Sequence, residues 1–320
     1  MRIAAAWLAA LLFSADARAM TGKPWTGKPW TEKPWSAGGL HGTLTHPAGV
    51  ARGPAVLIIA GSGPTDRDGN GPALSTDTYK LLAQGFAAQG IHVLRYDKRG
   101  IGDSRALMPR EDDARFSLFV DDAVAASRAL SARADVSSVV IAGHSEGALI
   151  ALLAAQRTRV AGVILLTATG RPLAAVLRKQ LQSALSGPLQ DEALRLLDRL
   201  AAGERVADVR PELAALFRPS VQPYLMSLMA IDPAAELARL NVPVLLIHAE
   251  HDLQISRGDF DALRGARANI RTVLLPQANH VLKTAPADRA RNIAVYQDRT
   301  APLDPGVMPP LVAFVRDVTR

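Results

Sequence analysis

The stretch that decides the fold is Ser137-Ser138-Val139-Val140-Ile141-Ala142-Gly143-His144-Ser145-Glu146-Gly147-Ala148-Leu149-Ile150-Ala151. An apolar run suited to a buried strand meets the pentapeptide Gly143 to Gly147, a G-x-S-x-G, and a small-residue helix opens at once. A strand that turns sharply into a helix lifts the residue at the corner out of the sheet. The flanking glycines let a strained backbone pass close to its neighbours. Ser145 stands at that corner and also at a helix N-terminus, where the dipole favours developing negative charge. It is the candidate nucleophile.

The same alternation continues on either side. Upstream, strands are expected at Val56 to Ala60 and Ile91 to Tyr96, with helices at Thr78 to Gln89 and Phe116 to Arg133. Downstream, a strand is expected at Val160 to Thr167, then only helical patterns over 171–241, then strands at Val242 to His248 and Ile270 to Leu275. Strand–helix units of this length require crossover connections and hence a mostly parallel sheet covered on both faces. Reactive groups in such sheets lie beyond the carboxyl ends of the strands. The expected organisation is a core of residues 38–170 and 242–320 with an inserted helical cap, 171–241.

A serine hydroxyl needs a base, and the base needs an orienting acid. The strand Pro243 to His248 runs into Ala249-Glu250-His251-Asp252, and Val273 to Leu275 is followed by Gln277-Ala278-Asn279-His280. Asp252 and His280 are therefore the expected acid and base, with Glu250 the competing acid. His144 lies inside the turn and is expected as a packed support. The oxyanion formed on attack needs two preorganised donors. These are expected from the backbone N–H of Glu146 and that of Ser62, in Gly61-Ser62-Gly63-Pro64 after the first core strand.

Composition excludes other chemistry. The 320 residues contain no cysteine, so disulfides, thiolate metal sites and cysteine nucleophiles are absent. No histidine stands with acids at metal-ligand spacing in the sequence, and no metal is expected. The net charge of +7 and pI near 10 come from scattered arginines rather than from basic runs, so no nucleic-acid partner is expected.

Ahead of the core, Arg2 precedes an apolar stretch from Ile3 to Phe13 that ends in Ala17-Arg18-Ala19. That pattern reads as an export signal, residues 1–19, cut after Ala19, leaving a secreted or periplasmic protein. The apolar run is shorter than the roughly 20 residues that span a bilayer, so no stable membrane insertion is expected after cleavage. Three pentapeptides follow, Thr21 to Trp25, Thr26 to Trp30 and Thr31-Glu32-Lys33-Pro34-Trp35. Proline at every fifth position prevents a helix, and residues 20–37 are expected as a flexible Lys-Pro-Trp linker.

Several spaced motifs together resemble the α/β-hydrolase superfamily, in particular its bacterial esterase and serine-aminopeptidase-like branch. They are Gly61 to Asn70, Arg95-Tyr96-Asp97-Lys98-Arg99-Gly100-Ile101-Gly102-Asp103-Ser104, Phe217 to Tyr224, and Asn279-His280-Val281-Leu282-Lys283. Ala249 departs from the glycine often found there. The resemblance implies the α/β-hydrolase fold and hydrolysis of a small-molecule acyl ester without a cofactor. Aminopeptidase, thioesterase or acyltransferase chemistry by the same three residues stays open, as does a binding protein without catalysis. The charged residues of the first two motifs, from Asp66 to Asp68 and from Asp97 to Asp103, are expected to hold their loops by pairing.

Overall fold

The structure is a computed structural model, and it describes residues 29–320. The proposed export signal and the first two pentapeptides up to residue 28 lie outside the described residues. An eight-stranded sheet carries the molecule. Its strands are β1 (Trp30–Ala37), β2 (Leu40–Pro47), β3 (Gly53–Ile59), β6 (His92–Tyr96), β7 (Val136–His144), β8 (Gly162–Leu166), β9 (Val244–Ala249) and β10 (Arg271–Leu275). A separate two-stranded ribbon, β4 (Asn70–Gly71) with β5 (Leu74–Ser75), sits in the loop after β3. The spatial order in the sheet is β1-β2-β6-β3-β7-β8-β9-β10. From β6 to β10 all neighbours are parallel, while β1 and β2 add an antiparallel edge.

Alternate side chains of the central strands feed two cores. Ala55, Leu57 and Ile59 of β3 face one, with Ile141 of β7. Val56 and Ile58 face the other, with Val140 and Ala142. The first core is covered by α2 (Phe116–Ser131) and α3 (Glu146–Ala155), the second by α1 (Thr78–Ala87) and α11 (Met308–Val318). Five helices fill the interval between β8 and β9: α4 (Leu173–Ala184), α5 (Gly187–Ala201), α6 (Pro211–Phe217), α7 (Gln222–Met229) and α8 (Pro233–Ala238). Leu177, Leu181, Leu197 and Leu200 pack in the first core with Phe217 and Tyr224, and Leu185 and Leu194 lie half-buried against it. The remaining helices, α9 (Arg257–Ala266) and α10 (Arg289–Ala294), accompany β9 and β10. No helix among the described residues is long and apolar enough to cross a membrane.

Residues 30–37, expected within a flexible linker, instead form the edge strand β1, and β2 was not foreseen as a strand. Proline is tolerated at a sheet edge because its missing donor costs no ladder bond there. Pro34 sits opposite Thr43, and Trp35 opposite Gly42, where the indole occupies space that a side chain would need. A charge contact completes the docking. The third pentapeptide has Glu32 where the first two have Gly22 and Gly27. Glu32 accepts a bond of 3.0 Å from the fully buried guanidinium of Arg95 on β6. Arg95 also donates to Asp68 and Thr45, both at 2.8 Å.

Candidate functional site

The strand order reverses its direction of growth at β3. The chain passes from β3 outward to β6 and then returns to the other side as β7. Connections leaving the carboxyl ends of β3 and β7 diverge and open a crevice there, the place where parallel sheets hold ligands. Ser62 lies just past β3 and Ser145 just past β7, so the topology alone brings these two predicted residues to one crevice.

The turn at Ser145 is sterically over-determined. Ser145 has φ 54° and ψ −121°, a region that side chains rarely occupy. A Cβ at Gly143 would lie 2.1 Å from the carbonyl oxygen of Gly147, and one at Gly147 would lie 2.4 Å from that of Ile59. Only glycine fits at either place. The Ser145 N–H donates to the Leu166 carbonyl at 2.9 Å, which pins the strained residue to the neighbouring strand β8.

Asp252 and His280 come from the loops after β9 and β10, two adjacent parallel strands that pair Ala249 with Leu275. The loops are tied by Glu250 N–H to Leu275 O and His251 N–H to Ala278 O, both 3.0 Å. His280 Nδ1 lies 2.7 Å from Asp252 Oδ2, and both side chains are buried. A carboxylate accepts, so Nδ1 carries a proton, which leaves Nε2 as the lone-pair nitrogen whenever the ring is neutral. The other oxygen of Asp252 accepts the amides of Gln254 at 2.7 Å and Ile255 at 2.9 Å. Glu250, the competing acid, instead pairs with Arg257 at the surface, at 2.8 Å. The geometry therefore joins Asp252, not Glu250, to His280.

Among the described residues no hydrogen bond joins the Ser145 hydroxyl to His280; such contacts are often long before substrate tightens them. His144, the residue before Ser145, bonds to the His280 backbone instead. Its Nε2 lies 2.7 Å from the His280 carbonyl oxygen, which can only accept, so Nε2 holds the proton. Its Nδ1 then accepts from the Tyr79 hydroxyl at 2.8 Å, and that hydroxyl accepts the Gly61 N–H at 2.9 Å. Burial, and next the nearby His280, lower the His144 pKa to about 3, so the ring stays neutral and the relay keeps one orientation. Tyr79 was not visible as a site residue from sequence, because its partners come from two separate loops.

An open cleft lies over Ser145, and Ser62, Ser145 and Glu146 all line it. Among the described residues the N–H groups of Ser62 and Glu146 have no hydrogen-bond partner. The cleft's walls are mostly apolar: Leu149, Leu173, Val176, Leu228, Ile231 and Ile255. Its charged lining groups are already met. Glu146 pairs with Lys98 at 3.3 Å, and Arg171 pairs with Asp259 at 2.8 Å. Pairing also holds the loops around the crevice, as expected. Arg67 bridges Asp97 and Asp103, Asp66 accepts the amides of Asp68 and Asn70, and Arg99 pairs with Asp122.

A second cluster of histidines and an acid forms at the other end of the sheet. Far from one another in sequence, His46, His92 and Asp135 do converge, with ligand atoms within 4.8 Å of each other. Separation in the chain hid the cluster. Arg133 donates to both Asp135 oxygens, at 2.9 and 2.8 Å, so that carboxylate is already matched by a cation.

Comparison with known proteins agrees with this architecture. The family described as "Serine aminopeptidase, S33" matches residues 70–284. Esterase EstD of Thermotoga maritima is 32% identical over 255 residues, covering 76% of this chain; the match spans 58% of EstD, less than two thirds of its length. Est1E of Butyrivibrio proteoclasticus, solved with ferulic acid bound, superposes with a TM-score of 0.58 at 16% identity, over 89% of this chain and 96% of that one. TT1662 of Thermus thermophilus gives 0.56 at 16% identity, over 91% and 98%. The last two likenesses concern the fold. The match over residues 70–284 and the identity to EstD show that the chain belongs to the serine aminopeptidase S33 family, in the esterase-like branch of the α/β hydrolases.

Proposed function

We propose that the chain is an exported serine hydrolase that cleaves uncharged carboxylic esters through an acyl-enzyme on Ser145. One observation carries the reading: a strained serine and two unpartnered amides line one apolar cleft, beside a buried Asp252–His280 pair. In the first half-reaction Ser145 Oγ bonds to the acyl carbon and its proton passes to His280 Nε2. The carbonyl oxygen takes the negative charge and is met by the N–H groups of Ser62 and Glu146. The alcohol then leaves with the proton from His280. Water repeats the sequence on the acyl-enzyme, releasing the acid and restoring Ser145.

The cleft favours an ester over a substrate with a free α-amine. An aminopeptidase needs an anion to bind the ammonium group, and the one lining carboxylate, Glu146, is paired with Lys98. EstD carries the name esterase, in keeping with this choice. Longer acyl chains gain about 0.8 kcal/mol per buried methylene until the apolar walls are filled. The test is kcat/KM for a chain-length series of neutral esters beside a matched amide and a free-amine peptide amide. The expected result is a short-to-medium ester optimum with the amides far below it. Preference for the free-amine substrate would assign the chain to peptide cleavage. Export is supported by the N-terminal pattern alone, and N-terminal sequencing of extracytoplasmic protein should begin at Met20.

A further inference from the structure

Lys98 has no part in the reaction sequence above, yet it is buried where the two oxyanion donors meet. It follows β6, is 3% exposed, and lies under the Phe119 ring with 5.7 Å from Nζ to the centroid. Its Nζ donates to the Gly61 carbonyl oxygen at 2.5 Å and pairs with Glu146 Oε1 at 3.3 Å. A desolvated ammonium held this way is costly unless its partners are well fixed.

The Gly61 carbonyl and the Ser62 N–H are the two ends of one peptide group. In a planar trans peptide they point in opposite directions, and among the described residues no peptide is cis. Fixing the carbonyl on Lys98 therefore aims the Ser62 N–H the other way, and a cation on the oxygen polarises the amide so that the N–H becomes a stronger donor. The Gly61 N–H is held from its other side by Tyr79, at 2.9 Å. A Cβ at Gly61 would come within 3.1 to 3.3 Å of His144 and Ser145, so the loop has little room to rotate. The lysine's second arm holds the side chain of Glu146, whose own N–H is the other donor.

We propose that Lys98 is a positioning residue of the oxyanion site, orienting and polarising the Ser62 N–H through the Gly61 carbonyl while its pairing with Glu146 anchors the ammonium. The proposal rests on Ser145 being the nucleophile. It predicts a loss felt in the transition state rather than in substrate binding.

Lys98→Met nearly preserves shape, and the double variant Lys98→Met with Glu146→Gln removes the carboxylate charge left behind. Each is compared with wild type per active site, counted by titration with a fluorophosphonate. The expected result is kcat lowered roughly 10- to 100-fold with KM within about two-fold, less than the 10²–10³-fold cost of deleting an oxyanion donor. Affinity for an alkylboronic acid, whose adduct presents an oxygen to the same donors, should fall by the same factor as kcat/KM. A role in folding alone would reduce the titrated sites and leave both constants unchanged. Glu146→Gln by itself serves only as the reference for the double variant, and the further loss that the double shows beyond it is the part assigned to Lys98. Either Lys98→Met variant with kcat and boronate affinity within two-fold of wild type overturns the assignment. If neither Met variant folds, Lys98→Gln, which removes the cation, is read on the same two constants, and values within two-fold of wild type overturn the assignment. Wild type inactive on every ester, or an active Ser145→Ala, would defeat the hydrolase reading instead.

Discussion

Two carboxylate–histidine pairs lie at opposite ends of the same sheet, and they are wired differently. At the carboxyl ends of β9 and β10, Asp252 meets His280 at 2.7 Å, and its second oxygen meets only backbone amides. At the amino ends of β6 and β7, Asp135 stands 3.5 Å from His46, and both its oxygens accept from Arg133. Neutral amides leave a carboxylate its charge, which is then available to an imidazole that becomes positive. A guanidinium has already met that charge, and the second histidine is left at arm's length. Its neighbour His92 is buried with neither ring nitrogen bonded, and burial lowers the pKa of both His46 and His92. Composition alone does not separate the two clusters. The partner on the far side of the carboxylate does.

The rule extends to other acids. Glu32 on Arg95, Glu250 on Arg257 and Asp135 on Arg133 are all guanidinium-bound. Carboxylates of this kind should act on stability, whereas Asp252 should act on rate. The largest effect is expected for Asp252→Asn, a loss in kcat of up to about 10⁴-fold at pH 7 with the fold retained, because the imidazole is left in the wrong orientation or tautomer. Steady-state kinetics beside a denaturation curve measure both. A loss below ten-fold would end the distinction at its strong end. Glu32→Gln comes next. It weakens a charge-assisted bond to a buried guanidinium and should cost about 1–2 kcal/mol in urea unfolding, with kcat per active site unchanged. The smallest effect is expected for Asp135→Asn and Glu250→Gln, with kcat/KM within about two-fold, as for substitutions outside the reacting groups. A drop in Glu250→Gln that matched Asp252→Asn would transfer the acid's role to Glu250.

Legibility from sequence followed the range of the interactions. Ser145 was readable because strand, glycines and helix are contiguous, and the two clashes that require those glycines arise within a few residues or from the adjoining strand. Asp252 and His280 were readable because each follows its own strand. The strand at 30–37 was not, since the proline repeat speaks for an extended chain with no partner, and the bond that Glu32 accepts comes from Arg95, 63 positions away. Tyr79 and Lys98 were hidden for a similar reason. Each acts on the backbone of Gly61, so no side-chain motif at position 61 announces them. Lys98 stood inside a recognised motif, but nothing local distinguished it from Arg99, whose guanidinium pairs with Asp122.

The central claim is that Ser145 is the nucleophile. Wild-type protein is treated with a fluorophosphonate, which phosphonylates an activated serine, while residual esterase activity is followed and the modified peptide is mapped by mass spectrometry. The expected result is one adduct per chain, on Ser145, rising in proportion to the activity lost, with no labelling of Ser145→Ala. Inactivation with the adduct on any other residue, or equal labelling of Ser145→Ala, would contradict it.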